Sequence, residues 1–418
     1  MIKQKIKSIT QKHILRFLYY TKRKSFRLTV FIVLKLANSK NGFLNSCVKK
    51  QVKKLIWLDT IEPISMFKES VSIDAYEPDY GSPGCFTIEI PQINLYKFKN
   101  SKVHGESSHI ILDELIVMER LPLIPIEHCN YSTAFIKGHD SSFAMYGDKY
   151  ETIEVDKAFF LGGNGSWNYY HWTLEIIAKL KYFLSSDISK TDVKIVLPDH
   201  ARNIESFSIM LEIILKNAYE FVYISKNQIA NIQEIYIITT PSNVVFNLAR
   251  HKKIERNNFF YDKESIDFIR DSVINSSQYK KFLENISKEK IFKKIYFARK
   301  ENSARGYNQN DVLNLLVNQG FKPVYLEELS FLQQVYLFQN VDCIVGASGA
   351  AWTNIIYLKP GSQGVSWLGN NVSLFSCYST LAKYYDCNLK FFLCNVDDKS
   401  STHSSYSVDL NVLLHKIL

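Results

Sequence analysis

Short apolar runs alternate with stretches of helical periodicity between residues 294 and 368. The runs predict four buried strands, and a helix-sized amphipathic segment separates each strand from the next. The predicted strands are Ile295–Ala298, Val324–Leu326, Val341–Gly346 and Gly364–Leu368. Strands that alternate with helices in this way predict a parallel sheet with right-handed crossovers.

Local signals mark the helix boundaries in this stretch. Gly320 is predicted to end the helix over Asn310–Asn318 in a left-handed conformation. Ser330 and Gln333 have the spacing of a capping box, which predicts that the next helix begins there. A turn of small residues, Ala347–Ala350, leads from the third strand into a further helix.

The same alternation occurs earlier in the chain. Apolar runs predict strands at 157–161, 193–197, 221–224 and 235–239, with one helix from about Trp167 to Leu184 and another over Ile204–Lys216. Residues 60–150 are rich in Pro, Gly and Tyr and predict irregular β-structure. The sequence therefore predicts an α/β protein with two Rossmann-like domains, an N-terminal domain over residues 55–245 and a C-terminal domain over residues 246–418.

The basic residues are concentrated at the N-terminus. Residues 1–54 contain 15 of the 51 Lys and Arg residues and none of the 41 Asp and Glu residues, so the rest of the chain has 36 cations and 41 anions. The longest uncharged apolar run there, Leu28–Leu34, is far shorter than the ~20 residues of a membrane span. We expect this basic amphipathic segment to bind an anionic membrane surface. Nucleic-acid binding and a simple solvated helix are the alternatives, but no nucleic-acid motif follows, so we expect no nucleic-acid partner.

The cysteine pattern favours a reducing compartment. The seven cysteines are scattered, odd in number and without a Cys-x-x-Cys pair. This pattern predicts reduced thiols and no zinc site. Together with the basic segment it predicts a cytoplasmic protein that is peripheral at the inner face of the cell membrane.

Two loops of the predicted C-terminal domain carry candidate phosphate-binding groups. Arg299 ends the first strand and Arg305 follows in a polar loop, while Ser348, Gly349 and Ala350 form the small-residue turn at a helix N-terminus. Ligands of parallel sheets bind beyond the carboxyl ends of the strands. Guanidinium groups and helix N-termini both favour phosphate oxygens. The two loops therefore predict a nucleotide or phosphate site; the alternative is an ordinary tight turn with solvated arginines.

One helix of the predicted N-terminal domain carries the candidate proton-transfer groups. It follows the glycine-rich loop Gly162–Ser166, and His171 and Glu175 lie four residues apart on it. That spacing places both side chains on one side of a helix. An imidazole or a carboxylate can act as a general base, although packing or capping is the alternative role. The neighbouring Trp172 is expected in the core.

Two separated motifs resemble the conserved blocks of glycosyltransferase family 61, which includes bacterial capsular polysaccharide biosynthesis proteins. The first motif is Asn168–Glu175, with the sequence NYYHWTLE. The second combines Arg299, Arg305 and Asn308 with Glu328–Ser330, Gln334, Gly346–Ala350 and Asn354. The resemblance covers about residues 159–368, which is half of the chain.

The resemblance implies an inverting glycosyltransferase with GT-B architecture, in which two Rossmann-like domains face a cleft. The nucleotide-sugar donor would lie in the C-terminal domain, and a glycan or lipid-linked glycan acceptor would lie on the N-terminal side. His171 or Glu175 would take the acceptor proton, and the product would be a growing capsular or lipopolysaccharide-type glycan. The implied donor contacts are Arg299, Arg305, Asn308, Gln334, Ser348, Gly349, Ala350 and Asn354.

Some positions depart from the family pattern. Many members have His where this chain has Ser348, and Glu where it has Gln309, so a role of that His does not carry over. The chain also has no Asp-x-Asp. Metal-dependent sugar-nucleotide sites usually need paired carboxylates for Mg²⁺ or Mn²⁺. The sequence therefore predicts a metal-independent enzyme without a cofactor, for which the nucleotide sugar is a substrate.

Two other functions stay open at the level of sequence. Gly346–Ala350 follows a predicted strand and opens a helix, so Ser348 is a candidate nucleophile of a serine hydrolase or acyltransferase. Its last position is Ala instead of Gly, however, and only His403 and His415 follow Ser348. The other alternative is a non-catalytic nucleotide-sugar-binding partner of a polysaccharide assembly complex.

Overall fold

The computed structural model describes residues 27–39, 52–82, 84–119, 129, 131, 133–147, 149–243, 253–286, 292–299, 306–399 and 404–418. Arg305 and residues 1–26 lie outside the described residues, and so do the predictions made for them. Among the described residues, no helix has the length and apolar character needed to cross a membrane.

The described residues form eighteen β-strands, numbered here in chain order. They are β1 (Val52–Trp57), β2 (Ser65–Lys68), β3 (Val71–Tyr76), β4 (Cys85–Ile90), β5 (Ile93–Val103), β6 (Ile110–Ile111), β7 (Leu115–Met118), β8 (Ile136–His139), β9 (Phe143–Tyr146), β10 (Glu151–Phe160), β11 (Lys194–Pro198), β12 (Phe221–Ile224), β13 (Gln228–Ile238), β14 (Lys294–Phe297), β15 (Lys322–Val324), β16 (Cys343–Ala347), β17 (Gln363–Gly369) and β18 (Asn388–Cys394).

Eleven of these strands form the first sheet. Strands β12, β11, β10 and β13 are parallel neighbours, as the alternation of strands and helices predicted. The sheet continues through β5, β6, β7, β1, β9 and β8, mostly by antiparallel pairing, and β2 pairs with β5. Strands β3 and β4 pair separately. The described part of residues 60–150 is therefore more regular than the sequence predicted.

Strand β10 begins at Glu151, earlier than the predicted start at Lys157. Its first half pairs in parallel with β13, from Glu151 opposite Gln228 to Val155 opposite Ile232. Most side chains in this half are exposed or only partly buried. It therefore lacks the apolar run that marks a strand in the sequence.

Five parallel strands form the second sheet, in the order β15, β14, β16, β17, β18. This confirms the parallel sheet predicted for residues 294–368. Gly320 has a φ of +80° and ends the preceding helix as expected. The capping box is also present, because the Ser330 side chain accepts from the Gln333 backbone N–H and the Gln333 side chain accepts from that of Ser330.

Helices connect these strands. One helix over Tyr169–Ser185, called the composite helix below, consists of Tyr169–His171 in α-conformation, Trp172–Ile177 in π-conformation and Lys179–Ser185 in α-conformation. The other described α-helices are 27–37, His200–Asn203, Glu205–Leu215, Lys263–Ile274, Ser277–Asn285, Gln309–Asn318, Phe331–Asn340, Cys377–Tyr384 and Leu410–Ile417. The 3₁₀-helices are Leu58–Thr60, Asp187–Lys190, Arg256–Asn258, Leu326–Glu328, Ala350–Tyr357 and Asn370–Val372.

The composite helix and the 3₁₀-helix Ala350–Tyr357 lie in the largest apolar cluster of the described residues. That cluster contains side chains from both sheets, such as the fully buried Phe159 of β10 and Ile295 of β14. Burying a large apolar side chain contributes about 1.5–3 kcal/mol. A continuous core therefore fixes the two helices that carry the candidate site. The α/β class predicted from the sequence is confirmed.

Candidate active site

An imidazole and a carboxylate meet on the composite helix. Nδ1 of His171 lies 2.9 Å from Oε2 of Glu175, and each side chain is only 9% exposed. When Nδ1 carries the proton it donates to the carboxylate, and the lone pair of the neutral ring then lies on Nε2. That tautomer is the one that can accept a proton from a substrate. The prediction that both side chains project from one side of the helix is confirmed.

The helix reaches this geometry through a change of helix type. The Asn168 side chain caps the first turn by accepting a hydrogen bond of 2.9 Å from the Tyr170 N–H. The helix then becomes π-helical over Trp172–Ile177, so that Glu175 lies within the π-segment and His171 directly precedes it. Short π-segments inside α-helices occur frequently at functional sites.

The glycine-rich loop before the helix packs against the imidazole. Gly165 has a φ of +76°, and a Cβ added there would lie 2.8 Å from Cδ2 of His171. Both the backbone conformation and the close approach therefore require glycine. The loop is held in place by Asn164, whose Oδ1 accepts from the Thr133 hydroxyl at 2.6 Å and from the Ser108 N–H at 3.3 Å.

Trp172 belongs to the core, as predicted. Its side chain is fully buried. It stacks on Phe207 with ring centroids 4.7 Å apart and planes 11° apart. This contact anchors the π-segment to the helix Glu205–Leu215.

In the second sheet, the first predicted arginine and the glycine turn come together. Strands β14 and β16 are neighbours, so the loops that follow them lie side by side. Nη2 of Arg299 donates a hydrogen bond of 3.1 Å to the backbone oxygen of Ser348. A Cβ on Gly349 would lie only 3.2 Å from the same nitrogen, so glycine leaves room for the guanidinium. Ala350 then begins a 3₁₀-helix instead of an α-helix.

Asn354 and Gln334 form a half-buried hydrogen-bond chain to the composite helix. The Tyr169 hydroxyl donates to Oδ1 of Asn354 at 2.7 Å, and Nδ2 of Asn354 donates to Oε1 of Gln334 at 3.3 Å. Nε2 of Gln334 in turn donates to the backbone oxygens of Leu326 and Leu329. These contacts join the two motifs to each other. A donor contact of Asn354 or Gln334 stays a prediction.

Asn308 occupies the N-cap position of the helix Gln309–Asn318, but its side chain does not cap that helix. Instead Nδ2 donates to the Val408 backbone oxygen at 3.1 Å, and Oδ1 accepts from the Val408 N–H at 2.8 Å. Gln309 donates to the backbone oxygen of Arg299. Gln309 therefore supports the chain after β14 at Arg299, whereas Asn308 ties the helix start to the segment before the last helix. A donor contact of Asn308 stays a prediction.

A cavity of about 590 Å³ opens beside Glu175, and no pattern in the sequence indicated it. Its described lining contains no Lys, Arg or His and five carboxylates, those of Asp59, Glu62, Glu89, Glu119 and Glu175. These residues come from four separate segments of the chain, so no local motif could reveal the cavity. Its volume lies within the range of about 300–1,000 Å³ typical of small-molecule sites.

A buried lysine lies near two of these carboxylates. Lys179 follows Glu175 on the composite helix and is 3% exposed. Burial lowers the pKa of the Lys179 ammonium, and the negative charges of Glu119 and Glu175 partly oppose this shift. Glu119 also accepts hydrogen bonds from the Thr240 backbone N–H at 2.5 Å and from its hydroxyl at 2.8 Å.

The structure is an α/β protein with a hydrogen-bonded His–Glu pair beside a cavity and an arginine beside a glycine turn, an arrangement that fits a group-transfer enzyme. The family model Glycosyltransferase 61 matches residues 169–365. The match confirms the resemblance carried by the two motifs. It implies glycosyltransferase activity in general, with a sugar donor and an acceptor as substrates. No curated protein matches the chain.

Proposed function

We propose that the protein transfers a sugar from a nucleotide-sugar donor to a hydroxyl group of a growing capsular or lipopolysaccharide-type surface glycan. The observation that carries this proposal is the hydrogen-bonded pair of His171 and Glu175 inside the segment that matches the glycosyltransferase family. Glu175 of this pair lines a ligand-sized cavity. The proposed architecture is the GT-B type, with the acceptor on the side of the composite helix and the donor on the side of the second sheet.

The donor diphosphate is assigned to the loops after β14 and β16. Arg299 lies there against Ser348 and Gly349, and Arg305 follows Arg299 in the sequence. Guanidinium groups and the backbone N–H groups at a helix start stabilise the negative charge that the leaving nucleoside diphosphate develops. In this proposal that charge is neutralised by the protein itself, so the transfer is metal-independent. No group of three or more His, Cys, Asp and Glu side chains among the described residues has the arrangement of a metal site.

The transfer proceeds in one step with inversion. The acceptor oxygen forms a bond to the anomeric carbon while the bond from that carbon to the diphosphate oxygen breaks. Nε2 of His171 takes the hydroxyl proton, and Glu175 holds Nδ1–H and stabilises the imidazolium that forms. The nucleoside diphosphate leaves with the bonding electrons.

A turnover screen tests this proposal. The full chain is incubated with a panel of nucleotide sugars and extracts of surface glycan, with and without EDTA, and nucleoside diphosphate release and glycan labelling are measured. Labelling from one nucleotide sugar, unchanged by EDTA, is the expected result. Strict dependence on added Mn²⁺ or Mg²⁺ would refute the metal-independent mechanism. Labelling by a fluorophosphonate at Ser348 without sugar transfer would favour a hydrolase.

We also propose that the N-terminal segment holds the protein at the inner face of the cell membrane. The helix 27–37 buries Val33 and Leu34 against strands β1 and β9 of the first sheet. Its side chains of Leu28, Phe31 and Ile32 are between 47% and 59% exposed. Exposed apolar side chains among many cations are typical of helices that lie in a membrane surface. An anionic leaflet supplies the complementary charge.

A further inference from the structure

We infer that the cavity beside Glu175 is the acceptor site and that it takes neutral or positively charged sugars and excludes anionic ones. This inference rests on the proposed function and deepens it by naming a substrate class. Glu175 both lines the cavity and bonds to His171. A ligand bound in the cavity therefore contacts the carboxylate that holds the proposed base.

The charge of the cavity determines the class of ligand. Its described lining carries five carboxylates and no cationic side chain. Among the described residues, no ion pair with Lys, Arg or His involves Glu62, Glu89 or Glu119. A carboxylate or phosphate on the ligand would meet like charges in a partly enclosed space, and such contacts reject a partner strongly. An ammonium group or a neutral ring escapes this repulsion.

The hydrogen-bonding groups of the cavity suit a ligand rich in hydroxyl groups. Asn94 lines the cavity, is 7% exposed, and its Oδ1 has no hydrogen-bond partner in the described structure. A buried carbonyl oxygen without a donor is costly, so a small rotation of the Asn94 side chain toward the cavity, with a ligand hydroxyl as donor, would stabilise a complex. Thr239 and Thr240 add hydroxyl groups, and Tyr96 adds an aromatic surface.

The carboxylates are not arranged to hold a metal ion. No three His, Cys, Asp and Glu side chains in the part of the chain that the structure describes form a possible metal site. The buried Lys179 is not part of the described lining, so it does not contact the ligand space. The carboxylates are therefore separate hydrogen-bond acceptors for a polyhydroxylated ligand.

Saturation-transfer NMR on the full chain tests the inference with three trisaccharides. Maltotriose is neutral, the β-1,4 trimer of glucosamine is cationic, and the α-1,4 trimer of galacturonic acid is anionic. The expected result is signal transfer to the first two and none to the third. Equal transfer to the anionic trimer, or no transfer to any of the three, would overturn the inference.

Charge variants locate the binding in the cavity. Glu62→Lys combined with Glu89→Lys should weaken binding of the cationic trimer by roughly fivefold or more and admit the anionic trimer. Both side chains are exposed, and the milder pair Glu62→Gln and Glu89→Gln provides a second test of the charge effect. The matched control is Glu212→Lys with Glu284→Lys, which changes the net charge equally at exposed positions outside the cavity lining. An equal effect of the control would place the binding elsewhere.

The outcome separates this inference from the proposed function. Binding is measured without turnover, so selective binding with no sugar transfer from any donor would refute the transferase and leave the charge selectivity of the cavity standing. Sugar transfer to an anionic acceptor would support the transferase and refute the charge selectivity of the cavity.

Discussion

The Tyr169 hydroxyl donates a hydrogen bond of 2.7 Å to Oδ1 of Asn354, which joins the composite helix to the 3₁₀-helix that follows the glycine turn. One residue belongs to the motif with the proposed base and the other to the motif with the proposed donor loops. The bond therefore sets the position of one half of the candidate site relative to the other. Asn354 is 1% exposed, so water does not readily replace a lost partner.

Tyr169→Phe tests this link. Removing the hydroxyl leaves a buried acceptor without its donor and should lower the free energy of unfolding by about 1–3 kcal/mol. It should also lower kcat, because the two halves of the site lose their fixed distance. Denaturant unfolding and turnover assays measure the two effects. Tyr219→Phe is the control, since its hydroxyl bonds to the Ser189 backbone oxygen away from the site; a loss of kcat in this variant as well would contradict the assignment.

Gly165→Ala tests the packing of the loop on the imidazole. The substitution places a Cβ 2.8 Å from Cδ2 of His171 and forces alanine into a left-handed backbone. We expect a stability loss of about 1–3 kcal/mol together with a clear loss of kcat. Gly320→Ala is the matched control, because its φ is +80° but a Cβ there meets nothing within 4 Å. It should lose stability and keep its activity, and equal activity losses in both variants would show that strain alone is responsible.

His171→Ala and Glu175→Gln assign the proton-transfer roles. Loss of the base should lower kcat by at least ~10²-fold, whereas the donor affinity should stay nearly unchanged. Glu175→Gln should cost less if Glu175 orients the imidazole, and more if Glu175 is itself the base. Steady-state kinetics and donor titrations measure both effects. His415→Ala, at an exposed position on the last helix, is the control. Near-normal turnover in both site variants would make the pair structural.

Arg299→Ala and Arg305→Ala test the donor site. Each should weaken the binding of nucleoside diphosphate and of the nucleotide sugar, measured by calorimetry. Arg299→Lys keeps the charge but loses the forked donor geometry, so it should still weaken binding. Arg202→Ala, on the first-sheet side and paired with Asp199, serves as the control. Wild-type affinity in both alanine variants would contradict the assignment of the diphosphate.

Vesicle sedimentation tests the N-terminal segment. The full chain should bind anionic vesicles, and the binding should weaken with salt because exposed charges are screened over about 10 Å at 0.1 M ionic strength. Deletion of residues 1–40 should release the protein. A variant with Ser at Leu28, Phe31 and Ile32 keeps every cation and should bind more weakly if those exposed side chains enter the membrane. Equal binding by the truncated chain would place the membrane contact elsewhere.

Local sequence signals predicted the parts of the fold that depend on neighbours in the chain. The capping box at Ser330, the left-handed end at Gly320 and the parallel order of the second sheet follow from short-range patterns, and all are present. The side-by-side placement of His171 and Glu175 followed from helical spacing in the same way.

Features that depend on distant residues could not be predicted from such patterns. Asn308 bonds to Val408, one hundred residues later, and no local pattern indicates that partner. The first half of β10 is held by pairing with β13, although its own side chains are mostly polar or exposed. The cavity is assembled from separate segments, and only the packed chain brings its carboxylates together.

The π-segment Trp172–Ile177 changes the direction in which the side chains after it point around the helix axis. Each residue of an α-helix advances the direction of its side chain by about 100°. Deleting one residue of the segment to restore a plain α-helix would therefore turn Lys179–Ser185 by about that angle relative to His171. Leu180 and Phe183, which are fully buried, would then leave the core. Because the π-segment contains this additional residue, His171 can face the candidate site while Leu180 and Phe183 face the core.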